Sequence, residues 1–353
     1  MNRSRLDHRS RGFTLLEVLI VVSIVAVLAA FLTVAIGRSI TQAKEAATRT
    51  TLLKLDGLLQ QRLDAFRVLL DTPQKQNELK SKITARRTVL EQSAPAALQR
   101  VMNEKLVSLM VYKDYYRQGF PQTLADNSFL GNSGQPFAGN AQNAAESSEM
   151  LHWLITQADT YGVPAVDDSE FTSSEVADTD GDGRMEFVDA WGLPLRFYRW
   201  PTRLLRPAGP AIPPLPLGTD ITWLNIPPVG RNLAGILMKG LPAAASLTGD
   251  ADPLALDPDD RLGAVLAALT RNTNISTADV TTILSWYESN YHTPDTYHIP
   301  LIVSGGPDKT AGLNEPYNTA NYGYLAAAPA ATISDPFNSN LNDNLTNRQK
   351  QQK

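Results

Sequence analysis

Oxygen ligands are spaced along Asp178-Thr-Asp-Gly-Asp-Gly-Arg-Met-Glu-Phe-Val-Asp189 as a hard cation would need them. Asp178, Asp180 and Asp182 alternate. Gly183 follows and permits a tight turn. The Arg184 carbonyl, Glu186 and Asp189 then fall at loop positions seven, nine and twelve. This is the ligand spacing of an EF-hand-type calcium loop, in which several oxygens converge from one turn. Two departures are visible. Position twelve is Asp rather than a bidentate Glu, and no convincing helix flanks either side. The stretch therefore reads as an isolated calcium loop, with a solvated acidic turn as the alternative.

A different carboxylate, Glu17, is the only ionisable residue from Phe13 to Ile36. A charge inside an apolar run of that length is costly and marks a functional position; the bland alternative is that Glu17 snorkels to the membrane edge. Catalytic groupings are scarce. The four histidines (His8, His152, His292, His298) show no zinc-ligand spacing, there is no cysteine, and no Gly-x-Ser-x-Gly or phosphate loop is present. Gly305-Gly306 lacks the following helix and Lys of a phosphate cradle. The expectation is a protein without enzymatic activity. The net charge of −4, without a basic patch, argues against a nucleic-acid partner.

The elements that must carry these residues begin with the apolar run. At 1.5 Å per residue, Phe13–Ile36 forms a helix of roughly 36 Å, enough to cross a ~30 Å hydrocarbon core. Arg3, Arg5, Arg9 and Arg11 precede it, which places the leader on the cytoplasmic side and the rest of the chain across the membrane. No Pro interrupts Gly37 to Leu70. Leu52, Leu53, Leu55, Leu58, Leu59, Leu63, Phe66, Leu69 and Leu70 recur at three- and four-residue spacings, with charged residues (Lys44, Glu45, Arg49, Lys54, Arg62, Arg67) on the remaining faces. One helix from about 13 to 70 is predicted, stopped at Asp71-Thr72-Pro73. Helical stretches follow at 75–117, broken near Pro95, and at Ala145–Tyr161. The 75–117 stretch either packs on the long helix or stands as a surface hairpin.

Strands are predicted at Leu195–Trp200 and Tyr297–Val303. Between them, 201–230 is Pro-rich and irregular, and Asp257–Leu269 and Thr277–Tyr291 read as short helices, the second capped by Ser276 or Thr277. From Ser334 onward the chain is rich in Asn, Gln and Lys and is expected to be disordered.

The string Gly12-Phe13-Thr14-Leu15-Leu16-Glu17, after a basic leader, resembles the class III signal of type IV pilins and of the pseudopilins of type II secretion. The resemblance covers about the first 40 residues. It implies cleavage between Gly12 and Phe13 by a prepilin peptidase, with N-methylation of Phe13. It also implies that Glu17 meets the terminal amine of Phe13 in a neighbouring subunit. The implied partners are copies of the chain, other pilin-like subunits and the bacterial inner membrane, with the C-terminal part periplasmic. Asp189-Ala-Trp-Gly-Leu-Pro194 resembles the Asp-x-Trp-Gly-x-Pro turn of major pseudopilins. Ser304-Gly-Gly-Pro-Asp308 resembles their Ser-x-Gly-x-Asp loop, which makes Ser304 and Asp308 a second candidate calcium loop. Trp191 reads as a plug in the core.

The expected fold is α+β, a long N-terminal helix packed on a small antiparallel sheet with large helical and Pro-rich insertions. Its segments are a leader (1–12), a membrane and filament-core helix (13–36), its amphipathic continuation (37–70), a soluble domain (71–333) with insertions at about 75–117 and 201–292, and a tail (334–353). The expected role is a structural subunit of a pseudopilus or pilus-like fibre. The alternatives are a membrane-anchored calcium-dependent binding protein that does not polymerise, and a soluble exported protein cleaved near Ala29-Ala30. An apolar run this long exceeds the roughly 7–15 residues of a secretory signal.

Overall fold

The structure is a computed structural model that describes residues 15–127, 143–201, 259, 276–292, 300–317, 325 and 344–347. The leader with Gly12 and Phe13, the Pro-rich 202–230, all but Asp259 of the helix expected at 257–269, His298 and most of the 334–353 stretch lie outside the described residues.

The chain divides into two units, Met1–Ala46 and Ala47–Lys353. Helix α1 (Leu15–Leu70) is continuous, because nothing from Leu15 to Leu70 breaks it and Pro73 lies just beyond. Its first part is long and apolar enough to cross a membrane. Leu15, Leu19, Val22, Phe31 and Ile36 there are exposed.

Within the second unit, α1 presents one continuous face to the core. Thr48, Leu52, Leu55, Leu59, Leu63, Phe66 and Leu70 are all buried at three- and four-residue steps. Each such large apolar side chain contributes about 1.5–3 kcal/mol by leaving water. Thr72 caps the next helix, α2 (Pro73–Ser93), by accepting from the Lys75 N–H, and Pro73 fills its first position where no N–H is needed. Helices α3 (Ala96–Val101) and α4 (Glu104–Gly119) follow, with Asn103 accepting from the Leu106 N–H to start α4. Helix α4 packs on α1, α2 lies along α4, and α3 joins the core of α1. Leu90, Leu98, Leu106, Val107 and Met110 join its core, and Phe66 meets the rings of Tyr112 and Tyr116 edge-on at 5.1 and 5.5 Å. The surface-hairpin alternative for 75–117 therefore falls away.

Arg62 departs from the expected solvent-facing set. It is fully buried, and its Nη2 donates to the carbonyls of Ile155 and Pro164 at 3.0 and 3.3 Å. The Ile155 carbonyl lies in the last turn of helix α6 (Glu146–Thr156), where carbonyls lack helical partners and attract a cation. Burial lowers the Arg62 pKa, against the attraction of Asp159.

Short helix α5 (Leu124–Asn127) precedes α6. Strands β1 (Val176–Ala177) and β2 (Glu186–Phe187) form an antiparallel hairpin, pairing Val176 with Phe187 and Ala177 with Glu186. A second sheet contains β3 (Arg196–Tyr198), β4 (Leu301–Ser304) and β5 (Leu345–Thr346) in the order β3-β4-β5, all antiparallel. Strands β3 and β4 are direct neighbours, with Phe197 opposite Ile302, although more than a hundred residues separate them in sequence. Helix α7 (Thr277–Asn290) starts with a reciprocal capping box between Ser276 and Asp279.

Strand β5 falls in the stretch expected to be disordered. Leu345 is buried against the sheet, and Asn347 extends the pairing through its side chain. It accepts from the Ile302 N–H at 3.0 Å and donates to Asp56 of α1 at 2.7 Å. A single apolar residue among amides carries no periodicity, so sequence pattern alone does not reveal it.

Candidate functional site

The acidic loop is the connection of the β1–β2 hairpin. Asp178 organises it, its two carboxylate oxygens accepting from the Gly181 N–H at 2.7 Å and the Gly183 N–H at 3.0 Å. Gly183 has φ +89°, a left-handed conformation that a side chain disfavours. Asp180 accepts from the Asp182 N–H, and Asp182 accepts from the Arg184 N–H. Glu186 lies on β2 itself. One of its oxygens accepts from the Thr179 N–H at 2.7 Å.

Helix α6 closes the other side. Asn143 holds its first turn by accepting from the Ala145 and Glu146 N–H groups at 2.9 and 2.8 Å, and its amide donates to Asp180. Ser148 donates to the Phe187 carbonyl of β2 at 2.7 Å, and Ser147 accepts from the Phe197 N–H of β3 at 3.1 Å. These bonds fix α6 against both strands and deliver Glu149 to the loop. The carboxylates of Glu149, Asp180, Asp182 and Glu186 then bring one oxygen each within 4.8 Å of one another.

Arg184 contributes more than a carbonyl. Its guanidinium reaches Glu149 at 2.6 Å and also pairs with Asp182. Burial pushes the Glu149 carboxyl up to about 7; Arg184 opposes the rise, and Asp182, Asp180 and Glu186 add to it. Burial likewise pushes Glu186 up to about 7, against its bonds from Thr179 and with the repulsion of Asp180 and Asp178. The cluster is an all-oxygen donor set with more negative charge than one guanidinium balances, which is the chemistry of a hard-cation site.

Asp189 is placed differently from the other members of the loop spacing. It is buried and serves the turn after β2. One oxygen accepts from the Trp191 and Leu193 N–H groups at 2.9 and 3.0 Å, and the other accepts from the Ser304 hydroxyl at 2.7 Å. Gly192, at φ +81°, completes the turn, and the Ala190 N–H donates to Thr48 of α1 at 3.0 Å. Trp191 packs at the edge of the core. The turn sets the start of β3 against the long helix. Ser304 is thus brought to Asp189, while the Asp308 carboxylate accepts from the Thr310 N–H at 2.8 Å. Among the described residues the metal-capable group contains neither Asp189 nor Asp308.

Of the carboxylates in the loop spacing, Asp180, Asp182 and Glu186 enter this group and Asp178 and Asp189 do not, while Glu149 is absent from the spacing. No local signal points to it, because it arrives from 29 residues before Asp178 through helix packing.

At the other end of the chain, Glu17 lies in the first turn of α1 and is exposed. Residues 7–33 match the family described as the prokaryotic N-terminal methylation motif, a type IV pilin-like signal that contains Gly12, Phe13 and Glu17. The motif implies processing by a prepilin peptidase and pilin-like assembly. No curated protein and no solved structure matches the chain.

Proposed function

We propose that this chain is a non-catalytic structural subunit of a pseudopilus or pilus-like fibre, cut between Gly12 and Phe13 and assembled through α1. The observation that carries this reading is the methylation motif at 7–33 running directly into one unbroken helix that is apolar for its first five to six turns. A methylated Phe13 would carry a cationic amine one helical turn from Glu17, on the same face. In a lipid or packed-helix setting neither charge is tolerable alone, so the pairing of Glu17 with a neighbouring subunit's amine would set axial register.

The second unit would then decorate the fibre. The likeness of Asp189, Trp191, Gly192 and Pro194 to the Asp-x-Trp-Gly-x-Pro turn supports a kinship to secretion pseudopilins over adhesive pilins. The second reading is a membrane-anchored calcium-dependent binding protein that stays monomeric, in which the carboxylate cluster would be the binding element. Substituting Glu17→Ala separates the two. The fibre reading expects membrane insertion to be unchanged and sedimentable, cross-linkable assemblies to fall at least about tenfold. Normal assembly of that variant sinks the pairing role, and absence of any assembly by the unaltered chain favours the monomeric anchor.

A further inference from the structure

A cluster of acids on a surface needs no ligand, but two members of this one are inside the protein. Glu186 is 0% exposed and Glu149 2%. Each has a carboxylate Oε1 that is buried and accepts no hydrogen bond. A buried carboxylate oxygen without a donor costs free energy unless another positive group meets it. The Arg184 guanidinium engages Glu149 Oε2 and Asp182. It leaves Oε1 of Glu149 and Oε1 of Glu186 without a hydrogen-bond donor.

We propose that Glu149, Asp180, Asp182 and Glu186 bind one divalent cation, calcium by their all-oxygen character, and that the Arg184 side chain is the built-in counter-ion which the cation displaces. The carboxylates come from one turn, one strand and one helix, a donor set that suits calcium's irregular shell of six to eight oxygens better than the strict octahedron of magnesium. The ion would join α6 to the β1–β2 hairpin. Because α6 also holds β3 through Ser147, binding would stiffen the junction on which both sheets rest. This inference does not depend on the fibre reading; it applies equally to a monomeric anchored protein.

The test uses the purified full-length protein in detergent, stripped with chelator and titrated with calcium chloride by calorimetry, alongside thermal unfolding. One calcium per chain and a raised Tm are expected, with magnesium binding at least about tenfold more weakly. Glu149→Gln should weaken calcium binding by at least about tenfold. Arg184→Gln retains the backbone carbonyl and removes the competing charge, so it should tighten binding by about tenfold. No calcium binding up to about 10 mM, above the weak end of extracellular calcium modules, overturns the site. Wild-type affinity in Glu149→Gln overturns the ligand set, equal affinity in Arg184→Gln overturns the exchange, and magnesium binding as tight as calcium overturns the choice of ion. Should Glu149→Gln fail to fold, the comparison of wild type with Arg184→Gln decides.

Discussion

His152 sits on α6 one turn beyond Glu149, buried against the Phe187 ring and hydrogen-bonded to Thr156. Burial lowers its pKa from the ordinary value of 6.5, and Asp168, 3.7 Å away, opposes the shift. The unfolded chain therefore takes up the proton first as pH falls. The neutral imidazole's contribution is intact above pH 6.5 and is lost as pH drops through 6.5 toward the lower folded value. Glu149 and Glu186, raised to about 7, act in the opposite sense, favouring the folded state as pH falls from 7 toward 4.5. The comparison that isolates His152 is with His152→Gln. Urea midpoints measured from pH 8 to pH 5 should decline less steeply for the variant than for wild type; parallel curves would show that His152 titrates alike in both states. The same small region shows what residue types reveal and what they conceal. Alternating aspartates and Gly183 are a local pattern and are legible. That Asp189 turns away to Trp191, Leu193 and Ser304, and that Glu149 takes a place beside Glu186, are consequences of packing across the fold.

Helix α1 was the most legible element, because burial along one face imposes a three- and four-residue rhythm that survives in sequence. The rhythm does not rank the leucines, since Leu53 falls in the same apolar set but lies off the buried face. Phe66 is 2% exposed and contacts three aromatic rings, whereas Leu53 is 41% exposed. Phe66→Ala should cost about 3–5 kcal/mol of unfolding free energy and Leu53→Ala less than about 1 kcal/mol, read from urea denaturation. Similar losses at both sites would contradict the assignment of the buried face. The helix start at Ser276 was equally readable, since caps are local, whereas Thr72-Pro73 reads in sequence only as a stop for α1 and also starts α2. The burial of Arg62 was not, because its acceptors, the Ile155 and Pro164 carbonyls, lie about a hundred residues away. Strand β5 was hidden for a related reason. Its place is set by β4 and by Asp56, and two residues are too few to show a strand period.

For the whole molecule, the N-terminal signal and the fold beyond it are encoded in different ways. A peptidase reads a short linear signal, so residues 7–33 announce processing without reference to any fold. The α+β architecture was also foreseeable in outline, from a long helix, two strand-like runs and turn chemistry at Asp189–Pro194. How a domain of this size attaches its helices α2 to α4 to the core of α1, and how β3 finds β4 across more than a hundred residues, depends on contacts that no local spacing encodes. The most direct measurement is the mature N-terminus, by intact mass and terminal peptide sequencing of protein extracted from membranes. A pilin-like subunit predicts a chain that begins at N-methylated Phe13. A chain that keeps its leader, or one that begins near Ala30, would contradict it.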